Sequence, residues 1–250
     1  MRGARVYRPA LRVAHLFEPH IPYRNAFELG LPWRRAWELA TIIPDRSKGV
    51  PGVEVIARFR DAYEQEVRVV DSTLAELLAA FPGGPAGRIV IFTSDHGEEF
   101  LEHGGWEHGH TLYQELLAVP LVIVGIDSLS PRTAGLVDVM PTLLAALNLR
   151  APRPLDGKDL ARPGTTPLRS SSPLYGDPTQ RAVRLEERKL IASGKGMAFY
   201  DLFSDPGERL PLAAPADLVP LLPTDRAEGP AGERPDAALR ERIRSLGYVE

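Results

Sequence analysis

An apolar, β-branched run, Ile89-Val90-Ile91-Phe92, opens onto Thr93-Ser94-Asp95-His96-Gly97 and then onto a glycine- and histidine-rich loop ending at His110. Four of the six histidines fall between residues 89 and 110. The run reads as a buried strand ending at Thr93-Ser94. In an open α/β sheet, ligands bind beyond the carboxyl ends of the strands, so such a strand presents Asp95 and His96 at the mouth of a cleft, while Gly97 lets the backbone turn sharply. An adjacent Asp and His offer one hard oxygen and one imidazole nitrogen, which suits a divalent cation. An aspartate at this place also serves as a helix cap, with the histidines decorating a polar loop. The pair alone does not decide, because a metal needs several ligands.

The wider phrase SDHGEEFLEHGGWEHGHTLYQELLAVPLVIVG, residues 94–125, resembles the sulfatase branch of the alkaline phosphatase superfamily. In that family a strand delivers an acidic metal ligand and its neighbour, followed by a glycine-histidine loop, a Tyr-x-Glu helix and a Val-Pro-Leu strand. The resemblance implies that Asp95 and His96 are metal ligands. It also implies that His108 stands where the family places a Lys or His contacting the sulfate and its leaving oxygen. HLFEPHIPY, residues 15–23, is similar to a second family segment, and by that likeness His20 helps bind the sulfate. Ala118 departs from the pattern, since the family usually has Arg before the Val-Pro. The fold implied is α/β: a partial three-layer αβα sandwich followed by a small C-terminal antiparallel sheet.

Composition narrows the function classes. A net charge of -3 gives no basic face for nucleic acid. No apolar run approaches the ~20 residues needed to span a bilayer. The start, Met1-Arg2-Gly3-Ala4-Arg5, lacks the apolar region of a secretion signal, so the expected location is cytoplasmic as written, although full-length relatives are often periplasmic, membrane-associated or secreted. Cysteine is absent, which excludes a disulfide framework and thiolate zinc sites. It also bears on the resemblance. Sulfatases convert a Cys or Ser within Cys/Ser-x-Pro-x-Arg to a formylglycine nucleophile, and this chain holds no such motif; Ser128-Leu129-Ser130-Pro131-Arg132 has the wrong spacing.

Along the chain, Leu11 to Phe17 reads as a short buried strand running into the Pro19–Pro22 loop that carries His20. Residues 25–51 show no clear periodicity and read as an irregular insertion over the cleft. Phe59, Tyr63, Val67, Val70, Leu74, Leu77, Leu78 and Phe81 recur at three- and four-residue steps, predicting a helix from Val55 to Phe81 that packs on the sheet before the Ile89 strand. Asp71 falls on its solvated face. A short helix is expected over 111–117, a buried strand over 119–125, and a helix from Val137 with Pro141 in its first turn, where Asp138 is architectural. Residues 150–178 are dense in Pro, Ser and Gly and read as a loop. Residues 182–185 and 190–193 predict a hairpin, 199–202 a further strand, and 205–208 a turn. The Pro-, Ala- and Gly-rich segment 213–235 is expected to be poorly ordered, with a helix over 236–246 stopped by Gly247. The expected organisation is a partial α/β catalytic domain over 1–150, an antiparallel subdomain over 151–212, and a flexible tail with a short terminal helix over 213–250.

By resemblance the chain is a sulfuric ester hydrolase: a metal-dependent sulfatase acting on a small-molecule or glycan sulfate ester and carrying only the later part of the site. His20 and His108 are its catalytic and substrate-contacting residues, and Asp95 and His96 hold the metal. Calcium is the family's usual ion. An imidazole at position 96 shifts preference towards zinc or manganese. The phosphodiesterase and phosphonate hydrolase relatives often carry His there, so phosphoester or phosphonate hydrolysis, or phosphoethanolamine transfer, is the alternative chemistry. A non-catalytic fragment, or a chain partnered by a separate N-terminal half, is the third reading.

Overall fold

A computed structural model describes residues 11–20, 23, 50–81, 88–129, 133–172 and 180–224. The expected insertion over the cleft, apart from residues 50 and 51, and the expected terminal helix lie outside them.

Helix α1 runs Val53–Ala80. It buries Ile56, Phe59 and Ala62 with Tyr23, Phe100 and Trp106 in one apolar cluster. Burying a side chain like Phe59 is worth about 1.5–3 kcal/mol, and its edge-to-face contact with Trp106, at 4.7 Å between ring centroids, adds about 0.5–1.5 kcal/mol. The helix matches the predicted span within two residues, but its partner differs. Its buried face packs on a small ribbon, strands β2 (Glu99–Phe100) and β3 (Trp106–Glu107), which the sequence reading treated as loop. Glu66 is buried and Val67 exposed, so the apolar face is shorter than the periodicity implied. Asp71 is exposed, as expected.

Strand β1, Val90–Thr93, pairs antiparallel with β4, Leu121–Val124, in register Val90 to Val124 and Thr93 to Leu121. Both are shorter and less buried than predicted: Val122 and Val124 stay half exposed. Residues 11–17 form no strand, and Leu11 and Val13 are exposed. A strand needs a ladder partner to satisfy its backbone, and the described residues offer this segment none.

Between β3 and β4 lies a single-turn helix α2, Gln114–Leu117, shorter than expected. Beyond β4, a 3₁₀ turn at Leu136–Asp138 leads into α3, Val139–Ala146, with Pro141 in its first turn. Asp138 is fully buried and accepts the backbone N–H groups of Gly135 and Lys158, which is an architectural role.

The C-terminal part is one four-stranded antiparallel sheet in the order β5 (Leu168–Ser172), β6 (Gln180–Leu185), β7 (Arg188–Ser193), β8 (Gly196–Asp201). The predicted hairpin and third strand are present. Strand β5 falls in the stretch read as loop, because its Leu-Arg-Ser-Ser-Ser sequence carries little apolar alternation. One face of the sheet buries Ala182, Ile191 and Tyr200 with Leu112, whereas the other buries Val183, Leu190 and Ala192 beneath Leu218 and Leu222. Residues 213–224 are therefore packed rather than poorly ordered. Leu218 and Leu222, with Ala214 and Leu221 packed beside them, cover that face.

Candidate active site

Strand β1 ends at Thr93, and the next four residues form a tight set of local hydrogen bonds. Ser94 Oγ donates to the His96 carbonyl at 2.7 Å, and Asp95 Oδ1 accepts the His96 N–H at 3.0 Å. Gly97 N–H then donates to Leu116 O on α2 at 2.8 Å. A Cβ at Gly97 would stand 2.0 Å from Glu115 O, so only glycine allows the strand end to lie against α2.

The imidazole of His96 donates Nδ1–H to the Gly97 carbonyl at 2.9 Å, leaving Nε2 with its lone pair. That Nε2 lies 3.9 Å from Asp95 Oδ2. The side chains are 32% and 65% exposed, so both reach the cleft. A metal-binding histidine normally carries such a hydrogen bond on its other nitrogen, and the two donors are close enough to share one cation. The pair fits a divalent ion as part of a ligand set. No cluster of three or more His, Asp or Glu that could hold a metal occurs among the described residues.

Two further histidine rings, His20 and His108, converge beside this pair. His108 stacks on His96 at 4.0 Å between centroids, His20 meets His108 at 5.3 Å, and His20 lies 6.5 Å from His96. The open cleft beside them is lined by Phe17, His20, Ser94, Asp95, His96 and Glu98. The structure thus brings together all four residues singled out from sequence.

The loop that carries His108 is held by buried carboxylates. Glu99, with a fully buried side chain, meets His110 Nε2 at 2.7 Å and accepts the backbone N–H groups of His103 and Gly105. Burial alone would raise the Glu99 carboxyl, but the hydrogen bond from His110 and those from the two backbone amides outweigh it and hold the pKa below the ordinary value. A Cβ on Gly105 would stand 2.3 Å from His110 Nε2. His103 meets Glu115 at 2.6 Å, stacks flat on Tyr113 at 3.5 Å, and reaches the Glu208 carbonyl at 3.1 Å. These two histidines are structural.

His108 has a different partner. Its Nδ1 lies 2.9 Å from Glu98 Oε1, and Glu98 Oε2 accepts the Tyr23 hydroxyl at 3.2 Å. Next to His108, Glu107 is pushed up to about 9 by burial and then by the charge on Glu98. Sequence reading missed Tyr23, Glu98 and Glu107. The only available signal was that a polar Glu-Glu pair follows the strand end, which reads equally well as solvated loop.

Comparison with known proteins decides the family. The Sulfatase family matches residues 4–149, more than half of the chain. The chain belongs to the sulfatase family. It is 27% identical over 190 residues to a Δ4,5-hexuronate-2-O-sulfatase of Bacteroides thetaiotaomicron, covering 66% of this chain and 39% of that protein. Over 184 residues it is 27% identical to arylsulfatase K of Bos taurus, covering 64% and 34%. A shorter stretch of 106 residues is 37% identical to a 2,3-bisphosphoglycerate-independent phosphoglycerate mutase of Saccharophagus degradans, covering 41% and 20%. Among solved structures, one bound to its substrate D-glucosamine-2-N,6-O-disulfate superposes with a TM-score of 0.55 at 22% identity, covering 76% of this chain and 44% of that one. A 2-O GAG sulfatase superposes with a TM-score of 0.51 at 24% identity, covering 66% and 40%. This sulfatase chain spans less than half the length of each of these relatives, and the shared fold is that of the alkaline phosphatase superfamily.

Proposed function

We propose that this chain carries the later part of a metal-dependent sulfatase site, in which Asp95 Oδ2 and His96 Nε2 contribute to one divalent cation and His20 and His108 contact the anionic ester. The observation that supports it most is the convergence of four side chains from two distant segments at the end of β1, within 6.5 Å between ring centroids for the three histidines. When bound, the cation polarises the ester oxygens. The chain's own residues supply the rest. An imidazole facing the ester offers an N–H to the developing negative charge and a proton to the leaving oxygen. A sulfated sugar is the substrate class suggested by the hexuronate sulfatase relative and by the structure in complex with a glucosamine disulfate.

His96 also supports a second reading, phosphoester hydrolysis at the same kind of site. An imidazole ligand favours zinc or manganese over calcium, and the phosphoglycerate mutase likeness points to phosphoryl chemistry. In the sulfatase reading the formylglycine nucleophile is not among these 250 residues, which hold no Cys/Ser-x-Pro-x-Arg.

The test is calorimetric titration of calcium, manganese and zinc into an assembly of this chain with a polypeptide supplying the first half of the site, and into the same assembly carrying Asp95→Ala, together with assays on an aryl sulfate and an aryl phosphate diester. One cation bound by the wild type and lost in Asp95→Ala is the expected result. Undiminished binding by the variant would sink the assignment.

A further inference from the structure

The backbone takes an uncommon path on both sides of His108. Glu107 has φ 65° and Gly109 φ 85°, both in the left-handed region. Glycine enters that region freely, but a glutamate there is strained and stays only where its surroundings hold it. The residues that follow are laid along the C-terminal sheet, where Leu112 is buried with Ala182, Ile191 and Tyr200. From the same sheet, two side chains reach back to the chain beside His108. Ser172 Oγ donates to the Gly109 carbonyl at 2.7 Å, and Gln180 Nε2 donates to the His110 carbonyl at 2.7 Å.

Ser172, the last residue of β5, stands directly opposite Gln180, the first of β6, in the ladder. Opposed residues of two paired strands project from the same face of a sheet. Gln180 shares that face with Ala182, two residues further on, which packs in the Leu112 cluster. The two donors therefore form one fork, whose prongs take consecutive carbonyls.

We propose that Ser172 and Gln180 are positioning residues, which fix the peptide groups following His108 and so keep its ring stacked on His96 and against His20. The inference rests on the reading of His108 as an ester contact, and gives the C-terminal sheet a part in the site which that reading does not contain. Two comparisons support it. His103 and His110 are tied through their rings to buried glutamates, with 2.6 and 2.7 Å contacts, and the fork holds the backbone at the third histidine of the loop. The ring of His108 has one hydrogen bond of its own, to Glu98 at 2.9 Å. That bond fixes one nitrogen, while the place of the rest of the ring depends on the backbone carrying it, and a free glycine at position 109 would let that backbone swing.

The experiment is nuclear Overhauser spectroscopy of the full chain with ¹³C-labelled histidine, His108 being assigned by His108→Gln. The wild type should show a cross-peak between the rings of His108 and His96, whose centroids are 4.0 Å apart, and another between His103 and Tyr113, stacked at 3.5 Å. Combining Ser172→Ala with Gln180→Met removes both donors, and should abolish the first peak while the second stays. Each single variant should weaken the first peak, and Ser172→Thr, which keeps the hydroxyl, should retain it. Persistence of the His108–His96 peak in the double variant, or its absence from the wild type, overturns the proposal. Should the double variant lose both peaks, the single variants decide: loss of both there as well assigns the fork to the general fold and overturns the proposal too. In an assembly containing the first half of the site, the double variant should turn over an aryl sulfate more slowly, by no more than His108→Ala does, with its metal retained. An undiminished rate in His108→Ala sinks the ester contact alone, and the cross-peaks still decide on the fork.

Discussion

Lys189→Met offers the sharpest test of how the site is braced. Lys189 is the second residue of β7, with 1% of its side chain exposed, an unusual place for an ammonium group. Its Nζ is 2.7 Å from Glu208 Oε1, a close ion pair, and it donates to Gln114 Oε1 at 3.1 Å. Glu208 Oε2 in turn accepts the backbone N–H of Gln114, the first residue of α2. Burial lowers the Lys189 pKa, and the charge on Glu208 opposes that shift. Methionine keeps most of the volume but strands a fully buried carboxylate. Removing one member of such a pair costs about 3–5 kcal/mol, a large share of the roughly 5–15 kcal/mol that holds a domain folded. With a urea slope of about 1–3 kcal/mol/M, the midpoint should fall by at least about 1 M. The assay is urea unfolding followed by circular dichroism. Lys189→Met with Glu208→Gln should recover most of the loss, because the uncompensated charge is gone. A loss below about 1 kcal/mol for the single variant, or a double variant no more stable than the single, would refute the argument that charge pairing, rather than packing, holds this junction.

Other outcomes follow from the site itself. In an assembly that turns over, His108→Ala or His20→Ala should lower the rate about 10²–10³-fold while elemental analysis finds the metal retained; loss of metal from His108→Ala would move that residue into the ligand set. Glu107, whose pKa rises from 4.5 to about 9 on folding, favours the folded state below pH 4.5. That contribution is lost as pH rises towards 9, with a slope of up to about 1.4 kcal/mol per pH unit. Glu107→Gln should flatten this dependence in denaturation curves taken across that range, and an unchanged slope would show that the group is not neutral when folded. The 250-residue chain alone should show no metal-dependent turnover of an aryl sulfate, since it holds no Cys/Ser-x-Pro-x-Arg; activity that copurifies and disappears in Asp95→Ala would contradict this. Half-exposed Val122 and Val124 on β4 should promote self-association, so Val122→Thr with Val124→Thr should shift sedimentation towards the monomer.

Much of this was legible in the sequence wherever local physics sets the structure. The α1 span was written in its three- and four-residue apolar spacing, and the hairpin β6–β7 in its alternation. The position of Asp95 and His96 followed from a β-branched run that ends at a glycine. What escaped depended on partners far away in the chain. Residues 11–17 have strand-like composition but no ladder to join among the described residues, and composition says nothing about partners. Glu66 interrupts the apolar face yet is buried, while the ribbon β2–β3, only two residues per strand, takes its contacts from Phe59, Arg60 and Tyr63. A ribbon so short has no periodicity to read. Leu218 and Leu222 sit in a segment whose proline content argues for disorder, and only the uncovered face of the C-terminal sheet gives them a reason to fold back.

The same dependence on distant partners explains how one loop assigns its histidines different work. His103 and His110 are tied to Glu115 and Glu99, both at most 13% exposed, and two backbone amides also bind Glu99. These pairs fix the loop's shape, and Glu208, through its carbonyl, joins His103 to the C-terminal sheet. Because the loop is rigid at those points, His108 can be held against His96 and His20 rather than wandering with the backbone. A loop that relied on His108 alone would have to order it at the moment of binding and lose affinity to side-chain entropy. The buried Lys189–Glu208 pair is therefore connected to the cleft through one histidine ring and one loop. A substitution there should loosen the placement of His108 before it unfolds the sheet, and broadening of the His108 imidazole resonance in Lys189→Met, at urea concentrations where the sheet is still intact, is the result that this coupling requires.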